Sequence, residues 1–147
     1  MKVMKMAFFA AALSLACAGT VSGADGSKDQ YKAEREKVEA DAKAAREKCK
    51  DMKGNAKDIC MAEAKGQEKV AKAELAAKQK DTPKNRYDVA AAKADMDYNI
   101  AKEKCDEMKG KDKDACQKDA KAARDNAKKQ AKQERETAEG KKDKKAA

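Results

Sequence analysis

Apolar side chains recur along this chain at a spacing of seven. Tyr31, Val38, Ala45 and Met52 stand seven apart, with Ala42 and Cys49 between them at the +4 position. The pattern returns as Tyr87, Ala94, Ala101 and Met108, with Ala91, Tyr98 and Cys105 between. Intervening positions are mostly Lys, Glu, Asp, Arg and Gln. One narrow apolar stripe on an otherwise charged helix predicts a thin coiled-coil-like seam, and its alanines let two helices approach closely.

Punctuation between the stripes predicts where the helices stop. Ser27 and Gln30 read as a capping box. Gly54 and Gly110 follow Lys53 and Lys109, as a C′ glycine follows a basic last turn. Asn55 or Asp112 is placed to cap the next helix, with Asp58 and Asp114 near its first turn. Thr82 and Pro83 restart the pattern as N-cap and N1, and Gly140 ends the last helix. These signals predict four helices over about residues 27–53, 56–80, 83–109 and 112–139, each arm about 37 Å long.

The two halves are copies of one unit. Residues 45–60 match residues 101–116 at ten of sixteen positions, including both cysteines of each copy. The match runs from Tyr31 over Tyr87 to Ala71 over Ala127, an offset of 56. The predicted organisation is a signal peptide at residues 1–24, one helical hairpin repeat at 25–82, a second at 83–140 and a basic tail at 141–147. The signal is read from Lys2 and Lys5, the apolar run 7–18 and the small residues to Ala24. Cleavage fits after Ala18 or after Ala24, the second being the better match. Leu15-Ala16-Cys17 also resembles the end of a lipoprotein box, which makes Cys17 a candidate lipidation site. Ser14 stands where that pattern wants an aliphatic residue.

Composition sharpens the picture. After residue 24 there is no His, Trp or Phe, and the aliphatic set is Val38, Ile59, Val70, Leu75, Val89 and Ile100. Burying one such side chain contributes about 1.5–3 kcal/mol, and ordering each residue costs a similar amount. A thick core is excluded. Strong helix formers fill the rest. Glu39–Lys43, Glu68–Lys72, Glu74–Lys78 and Asp125–Lys129 are spaced for i,i+4 ion pairs. Stop signals, periodicity and paired cysteines set the chain apart from a disordered polyampholyte.

Removing the signal leaves Cys49, Cys60, Cys105 and Cys116, an even set in an exported chain, which favours disulfides. Cys49 and Cys60 flank the Gly54 turn almost symmetrically, which predicts Cys49–Cys60 and Cys105–Cys116. A helix running straight through Gly54 allows Cys49–Cys116 and Cys60–Cys105 instead, loosely as in twin-CX9C proteins. A local bridge stabilises by about 3 kcal/mol in the chain-entropy model, a large share for a chain with so little core. Cys49 with Met52, and Cys105 with Met108, form i,i+3 pairs of soft donors suited to Cu(I). Without His or a CxxC no zinc pattern is present, and the metal expectation is none.

No acid–base histidine, redox CxxC or phosphate loop is visible, and the glycines read as single helix-end residues. The expectation is therefore no enzyme and no cofactor. Formal net charge is +9 for the chain, and +7 after residue 24, from 34 basic and 27 acidic side chains. That balance favours anionic surfaces such as lipopolysaccharide or acidic lipid. Aromatic or Arg-rich readers of nucleic acid are lacking.

The run Lys48-Cys49…Met52-Lys53-Gly54-Asn55-Ala56-Lys57-Asp58-Ile59-Cys60 and the joint Thr82-Pro83-Lys84…Arg86-Tyr87 resemble a family of small exported Ala/Lys-rich proteobacterial proteins. Members carry two KCxxxxGNAKDxC-type segments separated by a TPKxRY-like joint, and are often labelled TolA-like cell envelope biogenesis proteins. The resemblance spans nearly all of the chain after residue 24. Lys111 and Asp112 depart from it in the second copy. The link to TolA itself rests on composition, without a TolA-type C-terminal domain, and it implies no activity.

The sequence thus predicts an all-α protein of two tandem disulfide-stapled helical hairpins, as a slim four-helix bundle or an extended coiled-coil-like rod. The expected role is a non-enzymatic periplasmic structural or interaction protein of the cell envelope. Its partner would be an envelope protein or an anionic surface, with no specific nucleic acid and no transmembrane segment in the mature chain. The alternative is a small binding module for a polyanion or a soft metal ion.

Overall fold

The structure is a computed structural model that describes the backbone of residues 25–146 and the side chains of residues 28–141. The signal segment and Cys17 lie outside the described residues. Four helices follow one another: α1 Asp25–Lys48, α2 Gly54–Gln79, α3 Pro83–Cys105 and α4 Gly110–Ala146. Two hairpins, α1–α2 and α3–α4, are each stapled by a disulfide.

Chain reversals at all three junctions put successive helices antiparallel. Among the described residues, helices pack only on their neighbours in sequence: α1 on α2, α2 on α3 and α3 on α4. The joint at residues 80–82 is a turn, so the second hairpin folds back on the first as in a bundle. The row stays open, with α1 and α4 as its two edges. Ala138 shares a groove with Pro83, the first residue of α3. The last eight residues of α4 therefore overhang by about 12 Å.

The stripe read from the sequence is the buried seam. Ala42, Cys49, Ala94 and Cys105 are buried, as are Ala64, Leu75 and Ala131 opposite them. Four of those seven are alanines, so the layer is thin. The stripe stops one step early, however: Met52 and Met108 are 39% and 45% exposed. α1 and α3 end at Lys48 and Cys105, and tight i→i−3 bonds carry the chain through Met52 N–H to Cys49 O (3.2 Å) and Met108 N–H to Cys105 O (3.0 Å). The methionines thus sit on turns and leave the seam.

α2 and α3 each bury two faces, because each has two neighbours. Gly66 in mid-α2 is buried against Met96 of α3, and a Cβ there would lie 2.2 Å from Met96 Cγ and 2.8 Å from its Cβ. This glycine stands inside a helix, unlike the helix-end glycines that the sequence predicts. A mid-helix glycine costs about 1 kcal/mol against alanine, and close approach of the neighbouring helix is what it permits here. Val70 lies one turn along the same face as Gly66, and Val89 and Ile100 lie on the face of Met96.

Caps differ in part from expectation. Thr82 caps α3 as predicted, its Oγ1 accepting from Asn85 N–H at 3.0 Å, with Pro83 at the first position. Gly54 and Gly110 hold φ of +57° and +55° with open space around them, so conformation alone selects glycine there. α2 begins at Gly54 with no side-chain cap. Asn55 is therefore inside the helix, its amide nitrogen buried without a hydrogen-bond partner, and Asp58 falls beyond the first turn. Asp112 lies within the first turn of α4, inside the helix rather than capping it. α1 already runs through Ser27, so the capping-box position is interior. α4 continues through Gly140 to Ala146; an exposed glycine costs a helix too little to end it, and the Lys132–Glu136 and Arg135–Glu139 pairs brace the preceding turn.

Candidate functional site

Because α1 and α3 run parallel, both disulfide-bearing turns lie at the same end of the row. Each turn reverses two helices within five residues. That brings Cys49 to Cys60 with Cα atoms 5.6 Å apart, and Cys105 to Cys116 at 5.7 Å. Both separations are ordinary for a bridge. The four predicted cysteines are thus paired locally, and the crossed connectivity is absent, since each helix stops before the glycine. Cys49 and Cys105 are fully buried, and their partners are half-buried.

Exposed Met52 and Met108 stand beside these bridges and complete a two-pronged tip. In the oxidised protein both sulfurs of each cysteine pair are covalently used, so no thiolate faces the methionines. Among the described residues no group of three or more His, Cys, Asp or Glu is arranged for a metal ion. The tips differ in polarity. At the first, Lys57 Nζ donates to Lys50 O at 3.3 Å. At the second, Asp106 accepts from Lys113 at 3.0 Å and Gln117 at 3.0 Å, and Lys113 holds its carboxyl below the ordinary range.

Along the seams the two hairpins use different chemistry at matching positions. In the first, Glu68 of α2 pairs with Arg46 of α1 and with Lys72 at 2.7 Å. Lys72 also reaches Glu39 at 3.3 Å, and Glu39 reaches Arg35 at 3.3 Å. Lys78 pairs with Glu34 at 2.7 Å. These cations hold the Glu68, Glu39 and Glu34 carboxyls low, with Lys72 foremost for the first two and Lys78 for the third. In the second hairpin, Arg124 replaces the equivalent of Glu68 and lies over the Tyr98 ring at 4.3 Å. Arg135 lies over Tyr87 at 5.1 Å. Lys128–Asp95 at 2.7 Å keeps the counterpart of Lys72–Glu39.

Sequence spacing found only part of this. Of the four i,i+4 pairs expected, Glu68–Lys72 forms, whereas Glu39 turns to Lys72 and Arg35, Glu74 to Lys93 of α3 at 2.7 Å and Asp125 to Arg124. Asn85 was missed: its Nδ2 donates to Ala76 O (3.2 Å) and Lys80 O (2.7 Å), tying the end of α2 to the start of α3. Its place three residues after Thr82 marked only a helix start. Arg86 adds a two-oxygen contact to Asp81 at 2.7 Å.

No protein-family model matches the chain, and no curated protein or solved structure matches it. No helix among the described residues is long and apolar enough to cross a membrane. Disulfides of this kind belong to an oxidising compartment outside the cytoplasm.

Proposed function

We propose that this protein is a non-enzymatic structural or interaction protein of the cell envelope, exported to the periplasm. The observation that carries this reading is the pair of disulfides at the turns of a helical row whose buried seam is mostly alanine. Such a row depends on bridges that an oxidising compartment supplies. The signal-like segment at residues 1–24 and the likeness to TolA-like envelope proteins support the same assignment. The long charged faces offer contact area to partners, and the tips present Met52 and Met108. The test is fractionation and thiol titration of the natively expressed protein. It is expected in the osmotic-shock fraction with no free thiol and cross-linked to envelope proteins. Recovery from the cytoplasm with Cys49, Cys60, Cys105 and Cys116 all free contradicts the reading.

A second reading, polyanion binding, is favoured by one observation. α4 alone carries 13 basic and 8 acidic side chains, +5 of the +7 after residue 24, and it lies at an edge of the row. Salt-sensitive retention on immobilised lipopolysaccharide, lost when Lys118, Lys121 and Lys129 are replaced by Gln, supports this reading. Retention unaffected by those changes counts against it.

A further inference from the structure

The two copies meet through α2 and α3, and the same two surfaces recur, uncovered, on α4 and α1. Positions 56 residues after the α3-facing side of α2 make up the outer face of α4: Ala115, Lys118, Ala122, Asp125, Asn126 and Lys129, all exposed. Positions 56 residues before the α2-facing side of α3 make up the outer face of α1, where Ala33, Glu36, Ala40, Lys43, Ala44 and Glu47 are likewise exposed. A second molecule placed as the second hairpin is placed on the first would bring α4 of one copy against α1 of the next.

Substitutions between inner and outer faces change the charge. Between α2 and α3, Asp58, Ala62, Lys65 and Lys69 line one groove with Asn99 and Glu103. Their outer counterparts are Asp114, Lys118, Lys121 and Asp125 on α4, and Lys43 and Glu47 on α1. Ala73 and Ala92, the half-buried residues just before the Glu74–Lys93 ion pair, correspond to Lys129 and Glu36. The outer face of α4 thus carries Lys118, Lys121 and Lys129 against Asp114 and Asp125, and that of α1 Glu36 and Glu47 against Lys43, so the two faces differ in sign. Lys43, Lys118, Lys129 and Glu36 form no ion pair among the described residues, while Glu47 and Asp125 pair only with near neighbours in sequence, Lys50 on the turn after α1 and Arg124 on α4. Meanwhile Met96, Ile100, Val89 and Val70 become Ala40, Ala44, Ala33 and Asn126. The outer contact keeps the closeness of small residues and exchanges apolar adhesion for charge.

We infer that the protein associates head to tail with further copies of itself, the outer face of α4 on the outer face of α1, in a salt-sensitive contact that repeats the α2–α3 packing. The contact is heterologous, so it extends the row instead of closing a dimer. It stands apart from any envelope role, since its terms are internal to the chain.

Sedimentation of the oxidised, exported protein tests it. At roughly 0.01 M salt, where screening reaches about 30 Å, the weight-average mass rises with concentration above that of a monomer. At roughly 1 M salt, where it reaches about 3 Å, the protein is monomeric. Lys118→Glu with Lys129→Glu, and separately Glu36→Lys with Glu47→Lys, are each monomeric alone at low salt. Mixed, they associate again, because each reversed face then meets its complement. Circular dichroism confirms that these exposed substitutions leave the helices intact. A protein monomeric at low salt, single variants that associate as the parent does, or a mixture that stays monomeric overturns the inference. So does association that disappears once bound polyanion is removed.

Discussion

The first hairpin is held across its seam by ion pairs; the second keeps one of them, Lys128–Asp95, and adds arginines laid over tyrosines. The exchange is coupled: Ala42 and Glu68 in one copy stand where Tyr98 and Arg124 stand in the other. Alanine beside a carboxylate leaves space for Arg46 and Lys72 to converge on Glu68, whereas tyrosine fills that space and offers a ring face to a cation. Besides that one cross-seam pair, what the copies share is the turn: a positive-φ glycine, a buried cysteine and its partner eleven residues on. The bridge and the turn therefore define this unit, and the seam between its arms accepts more than one solution.

The largest expected effect falls on the shared part. Replacing Cys49 and Cys60 together by Ser, or Cys105 and Cys116, should each cost about 3 kcal/mol in the chain-entropy model, read by denaturant unfolding. Loss from one hairpin alone would break the equivalence. Gly66→Ala should follow: overpacking against a well-packed neighbour costs about 1–3 kcal/mol, and amide exchange should accelerate along both α2 and α3. A stabilised Gly66→Ala protein would show that the two helices separate freely.

Smaller effects separate the two seams. Arg124→Gln removes the stack on Tyr98, worth about 0.5–1 kcal/mol at a surface site, and this loss should persist in high salt. Glu68→Gln should weaken the first hairpin at low salt and have little effect at high salt, since partly exposed pairs are screened.

Acid should sharpen the same contrast. The carboxyls of Glu34, Glu39 and Glu68 are lowered in the fold. The stability they lend is present above the unfolded glutamate value and is lost as pH falls through their folded values. Amide exchange in α1 should therefore rise in acid before that in α3, apart from the second tip, where Asp106 is also lowered. Equal acid sensitivity of both seams would contradict the ion-pair account.

Much of this was legible in the sequence because its signals are local. The seven-residue stripe, Thr82-Pro83 and the cysteine spacing each act within a turn or two of helix; Thr82-Pro83 and the cysteine pairing stand as read, the stripe stops one step short of Met52 and Met108, and Gly54 and Gly110 open the following helices instead of closing the preceding ones. The open row was not legible, because it depends on which second face of α2 and α3 is apolar. Met96, Ile100 and Val89 fall off the main seven-residue stripe, and only the placement of α2 beside them gives them a face. The partners of Glu39 and Glu74 were hidden for a related reason. A carboxylate on a helix can turn along it or across to the next, and only packing decides between Lys43 and Lys72. Gly140 shows the limit of a rule: glycine permits a helix to end without requiring it.

The central claim is that two sulfur bridges supply stability that an alanine seam alone lacks. Thermal melting of the whole oxidised protein, followed by far-ultraviolet circular dichroism with and without a thiol reductant, tests it most directly. Reduction should bring a large fall in melting temperature and in helical signal at moderate temperature. A melt that superimposes on the oxidised curve, with all four thiols shown to be free, would contradict it.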